Sequence, residues 1–361
     1  MLSLLSLRLK SLRMMKENIL VAMSGGVDSA VCALILKNSG FSVSGATMRL
    51  FVPQGADFSE GENDAEAVCR ALEMDFSVFD MRTEFRNAVI DSFCESYIRG
   101  ETPNPCIVCN KEIKFGLFSD RAKKEGFEKI ATGHYAKIEK CGDRYVVKRA
   151  EYKQKDQSYM LWSLNAGQLA RAYLPLGALT KEDVREMAQE AKIPVANKGE
   201  SQDICFVPDG DYAGFIERTS EKSFPHGDFT DTNGAVLGTH KGLIHYTVGQ
   251  RRGLGLSLKA PLYVKAKDAE NNRVILCPDE GLYTKTVSCH SANWIACDVP
   301  TEKIRVTAKV RYRHEAAKAT VTATGDRRFL VEFDEPQRAI TPGQSCVLYD
   351  GDTLVGGGII E

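Results

Sequence analysis

Asn18-Ile19-Leu20-Val21-Ala22-Met23-Ser24-Gly25-Gly26-Val27-Asp28-Ser29 is the stretch whose reading decides the fold. Asn18 to Met23 is a short apolar run with the character of a fully buried strand, and an apolar helix is expected from about Ser29 to Asn38. Between them the glycines let the backbone turn sharply and bring N–H groups to a ligand, while the helix N-terminus adds positive dipole. Such a site favours an anion. The two serine hydroxyls suit phosphate oxygens, and Asp28 suits Mg²⁺ or a water that bridges to it. No Lys-Ser/Thr pair follows at Walker A spacing, and G-x-G-x-x-G is absent. A bare Gly-Gly after a strand is more often only a turn; the whole run in this position is far more specific.

Outward from that turn the texture alternates. Phe41 to Met48 and Phe76 to Phe79 read as strands, Ala65, Val68, Cys69 and Leu72 repeat at helical spacing, and Phe85, Val89 and Phe93 mark another helix face. Lys111 to Lys124 reads as helix and Lys129 to Thr132 as strand. The fold class is therefore α/β, with an N-terminal parallel sheet covered on both faces. After about residue 135 come a hairpin (AKIEK, the turn CGD, RYVVKRA) and a helix with Thr180 and Asp183 at N-cap and N3 spacing. From Asp209 onward Gly, Asp and Thr punctuate short segments, as in a small central domain. From Thr284 the runs KIRVTAKVRY, KATVTATG, RFLVEF and CVLYDG alternate as a small antiparallel barrel or sandwich. The expected division is 1–15 as a tail or upstream start, 16–213 as a catalytic domain, 214–282 as a central domain and 283–361 as a C-terminal β domain.

Composition agrees with a multidomain globular chain. At 361 residues two or three cores are expected, and the apolar and charged fractions of 43% and 26% are ordinary. No run approaches the roughly 18 apolar residues that cross a bilayer, so no membrane role is expected. Residues 1–15 are Leu-rich, basic and acid-free, and read as a short targeting arm or as an upstream start. Eleven cysteines scattered without a secretory signal imply reduced thiols and a cytoplasmic setting. With a net charge of −1 any nucleic-acid contact must be local. Lys241 to Lys267 holds six Lys or Arg and Lys303 to Arg313 five, with no acid in either stretch. Each, taken alone, also fits a solvated surface.

Two cysteines carry most of the remaining chemistry. Thr102-Pro103-Asn104-Pro105-Cys106-Ile107-Val108-Cys109 reads as a proline-stiffened loop just before a helix. Lys111, Lys114 and that helix N-terminus favour a Cys109 thiolate, which is how a nucleophile is sited. A structural zinc is the ordinary reading of C-x-x-C, but no second pair supplies the other ligands. Cys205, in SQDICF, reads by itself as a core thiol.

SGGVDS resembles the loop of the ATP pyrophosphatases, which cleave between the α and β phosphates and adenylate a substrate oxygen. Taken with TPNPCIVCNKEIKF, ATGHYAK, KDQSYML, SQDICFV, YTVGQRRGLGL, RYR and TPGQ, it closely resembles the tRNA-specific 2-thiouridylase family, in that family's order over about residues 18 to 346. The resemblance implies a PP-loop α/β domain, a small central domain and a C-terminal antiparallel β-barrel that binds tRNA. It implies ATP-dependent 2-thiolation of the wobble uridine through an adenylated base and a cysteine persulfide. ATP with Mg²⁺ would be held by Ala22, Met23, Ser24, Gly25, Gly26, Val27, Asp28, Ser29, Met48 and Gly133. Cys109 matches the nucleophile and Cys205 the persulfide carrier. Asn104, Pro105 and Cys106 match the segment that meets the target base, and His134, Lys155, Asp156, Gln157, Arg311, Tyr312 and Gln344 match tRNA-contacting positions. The implied partners are the tRNA anticodon stem-loop and a sulfur donor protein, a cysteine desulfurase or a relay protein. Two departures stand out. Cys106 replaces an Asp common in the family, and Met48-Arg49-Leu50 lacks the Lys and Trp often found after the matching Met. Cys106, Cys109 and Cys205 together define an alternative, a [4Fe–4S] sulfurtransferase or one acting at another tRNA position.

Overall fold

The computed structural model of the chain describes residues 17–51, 59–199, 204–220, 222–257, 260–325 and 327–361. The stretch 1–15 and residues 201–203 of SQDICFV lie outside the described residues. In chain order the principal elements begin with β1 Asn18–Ala22, α1 Val27–Asn38, β2 Ser42–Arg49, α2 Ser59–Ala71, β3 Phe76–Asp80 and α3 Asp91–Ile98. They continue with β4 Lys129–Ala131, β5 Ala136–Cys141, β6 Arg144–Arg149, β7 Ala172–Tyr173, α4 Lys181–Glu190 and α5 Tyr212–Ser220. Strands β8 Gly227–Thr230, β9 Val236–His240, β10 Tyr263–Asp268 and β11 Arg273–Cys277 follow. The last six are β12 Tyr283–Trp294, β13 Ile304–Lys309, β14 Ala317–Gly325, β15 Arg328–Arg338, β16 Ser345–Asp350 and β17 Thr353–Ile360. The chain divides into two compact units, Met1–Arg86 with Cys109–Gln202, and Asn87–Val108 with Asp203–Glu361.

The first unit is a five-stranded sheet in the order β3-β2-β1-β4-β7, and every neighbouring pair is parallel. Ile19, Leu20 and Val21 have no exposed surface. Helices cover both faces of a parallel sheet, so its central strand is continuously apolar from Ile19 to Ala22 instead of alternating. Val31, Leu36, Val68, Leu176 and Val184 complete the core with Ile19 and Val21. The expected hairpin is β5–β6, turned at Gly142, and the expected cap is a full capping box in which Thr180 Oγ1 accepts from Asp183 N–H and Asp183 Oδ2 from Thr180 N–H. The two-residue strand β7 is too short for periodicity to announce.

In the second unit Phe93 on α3 meets Phe206 with ring centroids 5.3 Å apart, and Phe206 meets Phe215 on α5 at 5.2 Å. A four-stranded sheet, β10-β11-β8-β9, is closed over by Phe229, Tyr246, Val264, Val274 and Leu276. The last six strands run β12-β15-β14-β13-β16-β17, antiparallel throughout, and β12 pairs with β17 to close a barrel. Closure removes both sheet edges, and Val306, Ala308, Val321, Phe329, Phe333 and Leu348 fill the interior.

Candidate functional site

The site begins where β1 ends. Strands β2 and β3 lie to one side of β1 and β4 to the other, so the carboxyl ends of β1 and β4 flank the point where strand order reverses. Open parallel sheets bind ligands at such a switch point. Ser24 to Gly26 leave β1 there, with Gly25 at φ +72°, a left-handed conformation that disfavours any side chain. A Cβ on Gly25 would also lie 2.6 Å from the Gly61 carbonyl oxygen at the start of α2. The Ser29 hydroxyl donates to the Gly26 carbonyl at 2.9 Å and accepts from the Ser24 N–H at 3.2 Å, and the two serine oxygens are 3.2 Å apart. Those contacts tie the loop to the N-terminus of α1.

Asp28 sits in the first turn of α1. Its Oδ1 accepts from the Tyr135 hydroxyl at 2.8 Å and from the Lys181 ammonium at 2.6 Å. Lys181 has a 5% exposed side chain against 34% for Asp28, so the lysine is buried and its acid opens to solvent. Gly133 closes on the same helix start, since a Cβ there would stand 2.9 Å from the Asp28 carbonyl carbon and 3.0 Å from Ser29 N. Beside the loop, Met48 and Arg49 end β2, and Arg49 makes a two-pronged contact with Glu62 at 2.7 Å for each bond.

Beyond β4, His134 Nδ1 lies 2.7 Å from the Thr132 hydroxyl and the His134 ring 5.8 Å from Phe115. Burial first, and then the nearby Lys114 ammonium, hold this imidazole well below the usual histidine range. Gln157 bridges to the next residue by accepting from Tyr135 N–H at 2.9 Å and donating its own N–H to the Tyr135 carbonyl at 2.8 Å. Asp156 is buried, with its carboxylate accepting from Ala150 N–H, Ser158 N–H and the Ser158 hydroxyl. The side chains of Asp156 and Gln157 thus hold the chain itself, with Gln157 bracing the Tyr135 that grips Asp28. Half-buried Lys155 ends the short turn before them.

The cysteine segment differs from its expected form. Both cysteines were expected on a loop, but Pro105 opens a helical turn, Pro105–Val108, that continues as the π-type stretch Cys109–Phe118 and as Ser119–Lys124. Proline is pre-shaped for the first helical position, and the Asn104 side chain accepts from Cys106 N–H at 3.1 Å. Cys106 therefore occupies the first turn and is exposed, while Cys109 lies a turn further in and is buried. Lys111 is paired to Glu112 at 2.9 Å, and the charge of Lys114 is felt at His134. Cys205 is exposed in a turn before buried Phe206, where a core thiol was one reading.

On the barrel, Arg311 donates to the Arg338 carbonyl at 3.2 Å, the Lys309 ammonium stands 5.6 Å from the Tyr312 ring centre, and Gln344 donates to the Thr102 carbonyl at 2.7 Å. Asn104, Pro105, Cys106, Cys205, Arg311, Tyr312 and Gln344 belong to the second unit, and Cys109, His134 and the loop to the first. Tyr135 and Lys181 escape sequence reading. One signal existed for Lys181, because a lysine at the first position of a helix opposes the dipole and calls for a carboxylate partner. Among the described residues no three His, Cys, Asp or Glu side chains form a group able to hold a metal ion.

The sheet, its switch-point loop and the appended barrel define a PP-loop nucleotide-binding α/β protein with C-terminal β domains. Residues 17–209 match the tRNA methyl transferase HUP domain, 213–278 the tRNA methyl transferase PRC-barrel domain, and 284–360 the aminomethyltransferase beta-barrel domain. The tRNA-specific 2-thiouridylase MnmA of Clostridioides difficile (strain 630) is 44% identical over 356 residues, covering 96% of this chain and 99% of its own. That of Treponema denticola is 45% identical, covering 95% and 97%. The chain belongs to the tRNA-specific 2-thiouridylase family. Among solved structures, the U34-tRNA thiolase NcsA from Methanococcus maripaludis with its [4Fe-4S] cluster is 15% identical, covering 62% of this chain and 71% of its own, with a TM-score of 0.37. No described helix is long and apolar enough to cross a membrane.

Proposed function

We propose that the protein is a tRNA-uridine 2-sulfurtransferase that uses ATP to replace the C2 oxygen of the wobble uridine with sulfur. The observation that carries this reading is full-length kinship at 44% identity with the phosphate loop and both family cysteines in place. Methyl transfer, named in the domain descriptions, has no use for an anion loop combined with two thiols. Phosphoryl activation followed by sulfur transfer uses both.

The loop Ala22 to Ser29, with Met48 and Gly133, binds ATP. Mg²⁺ would come in with the ATP phosphates and neutralise their charge, facing an Asp28 that already holds Lys181 and Tyr135. A base must leave its stack to be reached, and Asn104, Pro105 and Cys106 receive it. The C2 oxygen attacks the α-phosphorus and pyrophosphate leaves, which turns a poor leaving group into AMP. The terminal sulfur of a Cys205 persulfide attacks C2, and AMP departs with the C–O electron pair. The Cys109 thiolate then attacks the Cys205 sulfur, so that the C2 sulfur is released and a Cys109–Cys205 disulfide remains. A dithiol reductant resets the cysteines, and a sulfur donor protein recharges Cys205. His134, Lys155, Arg311, Tyr312 and Gln344 support the tRNA, with Asp156 and Gln157 holding the backbone beside His134 and Lys155, and the domains divide at 16–213, 214–282 and 283–361. The setting is the cytoplasm.

Purified protein, an unmodified tRNA, ATP and a persulfide source should yield 2-thiouridine by nucleoside mass spectrometry, with none from Cys109→Ser or Cys205→Ser. Full thiolation by either variant sinks the scheme.

A further inference from the structure

The segment just ahead of the cysteine helix is gripped from outside. Thr102 N–H donates to the Pro342 carbonyl at 2.9 Å, and Gln344 Nε2 donates to the Thr102 carbonyl at 2.7 Å. Gly343, between them, packs so closely that a Cβ would stand 2.8 Å from Glu101 Cβ and 3.0 Å from Thr102 N. The turn Thr341–Gln344 thus holds both backbone groups of one residue. A second hold comes from β10, where the Lys267 ammonium donates to the Glu101 carbonyl at 3.3 Å and lies 5.4 Å from the Tyr97 ring centre. Burial pushes that ammonium down to about 8, so it is kept there against a desolvation penalty. The Thr102 hydroxyl is buried without a hydrogen-bond partner among the described residues. Its own side chain therefore gains nothing from this placement, and the grip on the main chain accounts for it.

Thr102 precedes Pro103 and Asn104 precedes Pro105. Proline fixes its own φ and confines the residue before it, so the four residues from Thr102 to Pro105 have little freedom once Thr102 is anchored. We infer that Gln344 is a positioning residue which, through the Thr102 carbonyl, sets where Asn104, Pro105 and Cys106 stand. The same turn follows the end of β15, where Arg311 holds the Arg338 carbonyl, so RNA contact on the barrel and placement of the base-facing segment share one strand end. This rests on the reading that the Asn104–Cys106 segment receives the target uridine.

The test uses Gln344→Glu, which keeps the shape and removes the donor, with Lys267→Met as an independent second release. Peptide-resolved hydrogen exchange over Thr102–Ile107 in the full chain should rise about tenfold, the loss of roughly one hydrogen bond. At saturating tRNA, where any lost RNA contact of Gln344 is masked, kcat for thiolation should fall about tenfold in both variants, and the tRNA Kd of Lys267→Met should stay within about twofold. If exchange is unchanged and Kd rises instead, Gln344 is only an RNA contact and the inference is overturned. If exchange rises and kcat does not move, the segment's placement is irrelevant to the reaction and the inference is likewise overturned. Should Gln344→Glu fail to fold, Lys267→Met must by itself give both changes. Absence of thiolation by the unaltered protein would strike the proposed function, whereas the exchange result stands independently of it.

Discussion

Asp28 was legible in the sequence because serines, glycines and a helix start surround it, but its keepers were not. Tyr135 and Lys181 are 107 and 153 residues away along the chain, and nothing local in either calls for a carboxylate except the unfavourable dipole at the Lys181 position. Replacing Lys181 with Met leaves Asp28 with the tyrosine hydroxyl alone. Because Asp28 is about a third exposed, the loss should be about 1–3 kcal/mol by denaturant unfolding, together with impaired ATP–pyrophosphate exchange. Tyr135→Phe removes one hydrogen bond and should cost about 1 kcal/mol. His134 provides a pH signature. Its folded form resists protonation, so as pH falls below the ordinary value of about 6.5 the unfolded chain takes up a proton that the folded chain refuses. The stability difference between the unaltered protein and His134→Gln should therefore shift against the former from pH 7.5 to pH 5.5. A constant difference would mean that the imidazole is not desolvated.

Elements were read most faithfully where burial dictates composition. The uninterrupted apolar run of β1 follows from its place between β2 and β4, and α4 announces itself through Thr180 and Asp183. Pro105 misled, because Pro-Asn-Pro suggests a loop although the second proline is well suited to begin a helix. The cysteines consequently lie inside a helical stretch, and the π-type winding from Cys109 to Phe118 has no sequence signature. The cap on α4 has a functional consequence, since it sets the helix start from which Lys181 reaches Asp28. Thr180→Ala should cost about 1 kcal/mol in unfolding and raise the KM for ATP, while Thr180→Ser should preserve both. A cap whose loss left ATP binding untouched would show that Lys181 is placed by other contacts.

Across the whole molecule the barrel was visible from strand alternation, whereas the grouping of Asn87–Val108 with the C-terminal portion was not, because pairings over such separations leave no local trace. Charge tells a similar story. A net charge of −1 offers no general attraction for RNA, so the RNA contact proposed for Arg311, and for its neighbour Arg313, is a local one. Reversing both to Glu should weaken tRNA binding and reduce the slope of log K against log salt by about 1–2, as expected when one or two phosphate contacts are lost. An unchanged slope would place the RNA elsewhere. The membership of Asn87–Val108 also has a bearing on the birth of the protein. Phe93 finds Phe206 and Phe215, and Thr102 finds Pro342, only after a further hundred to two hundred and forty residues have been made, on the order of five to fifty seconds at ordinary ribosome speeds. Through that interval the nascent chain carries an aromatic helix without these ring partners, apolar surface of the kind that chaperones engage.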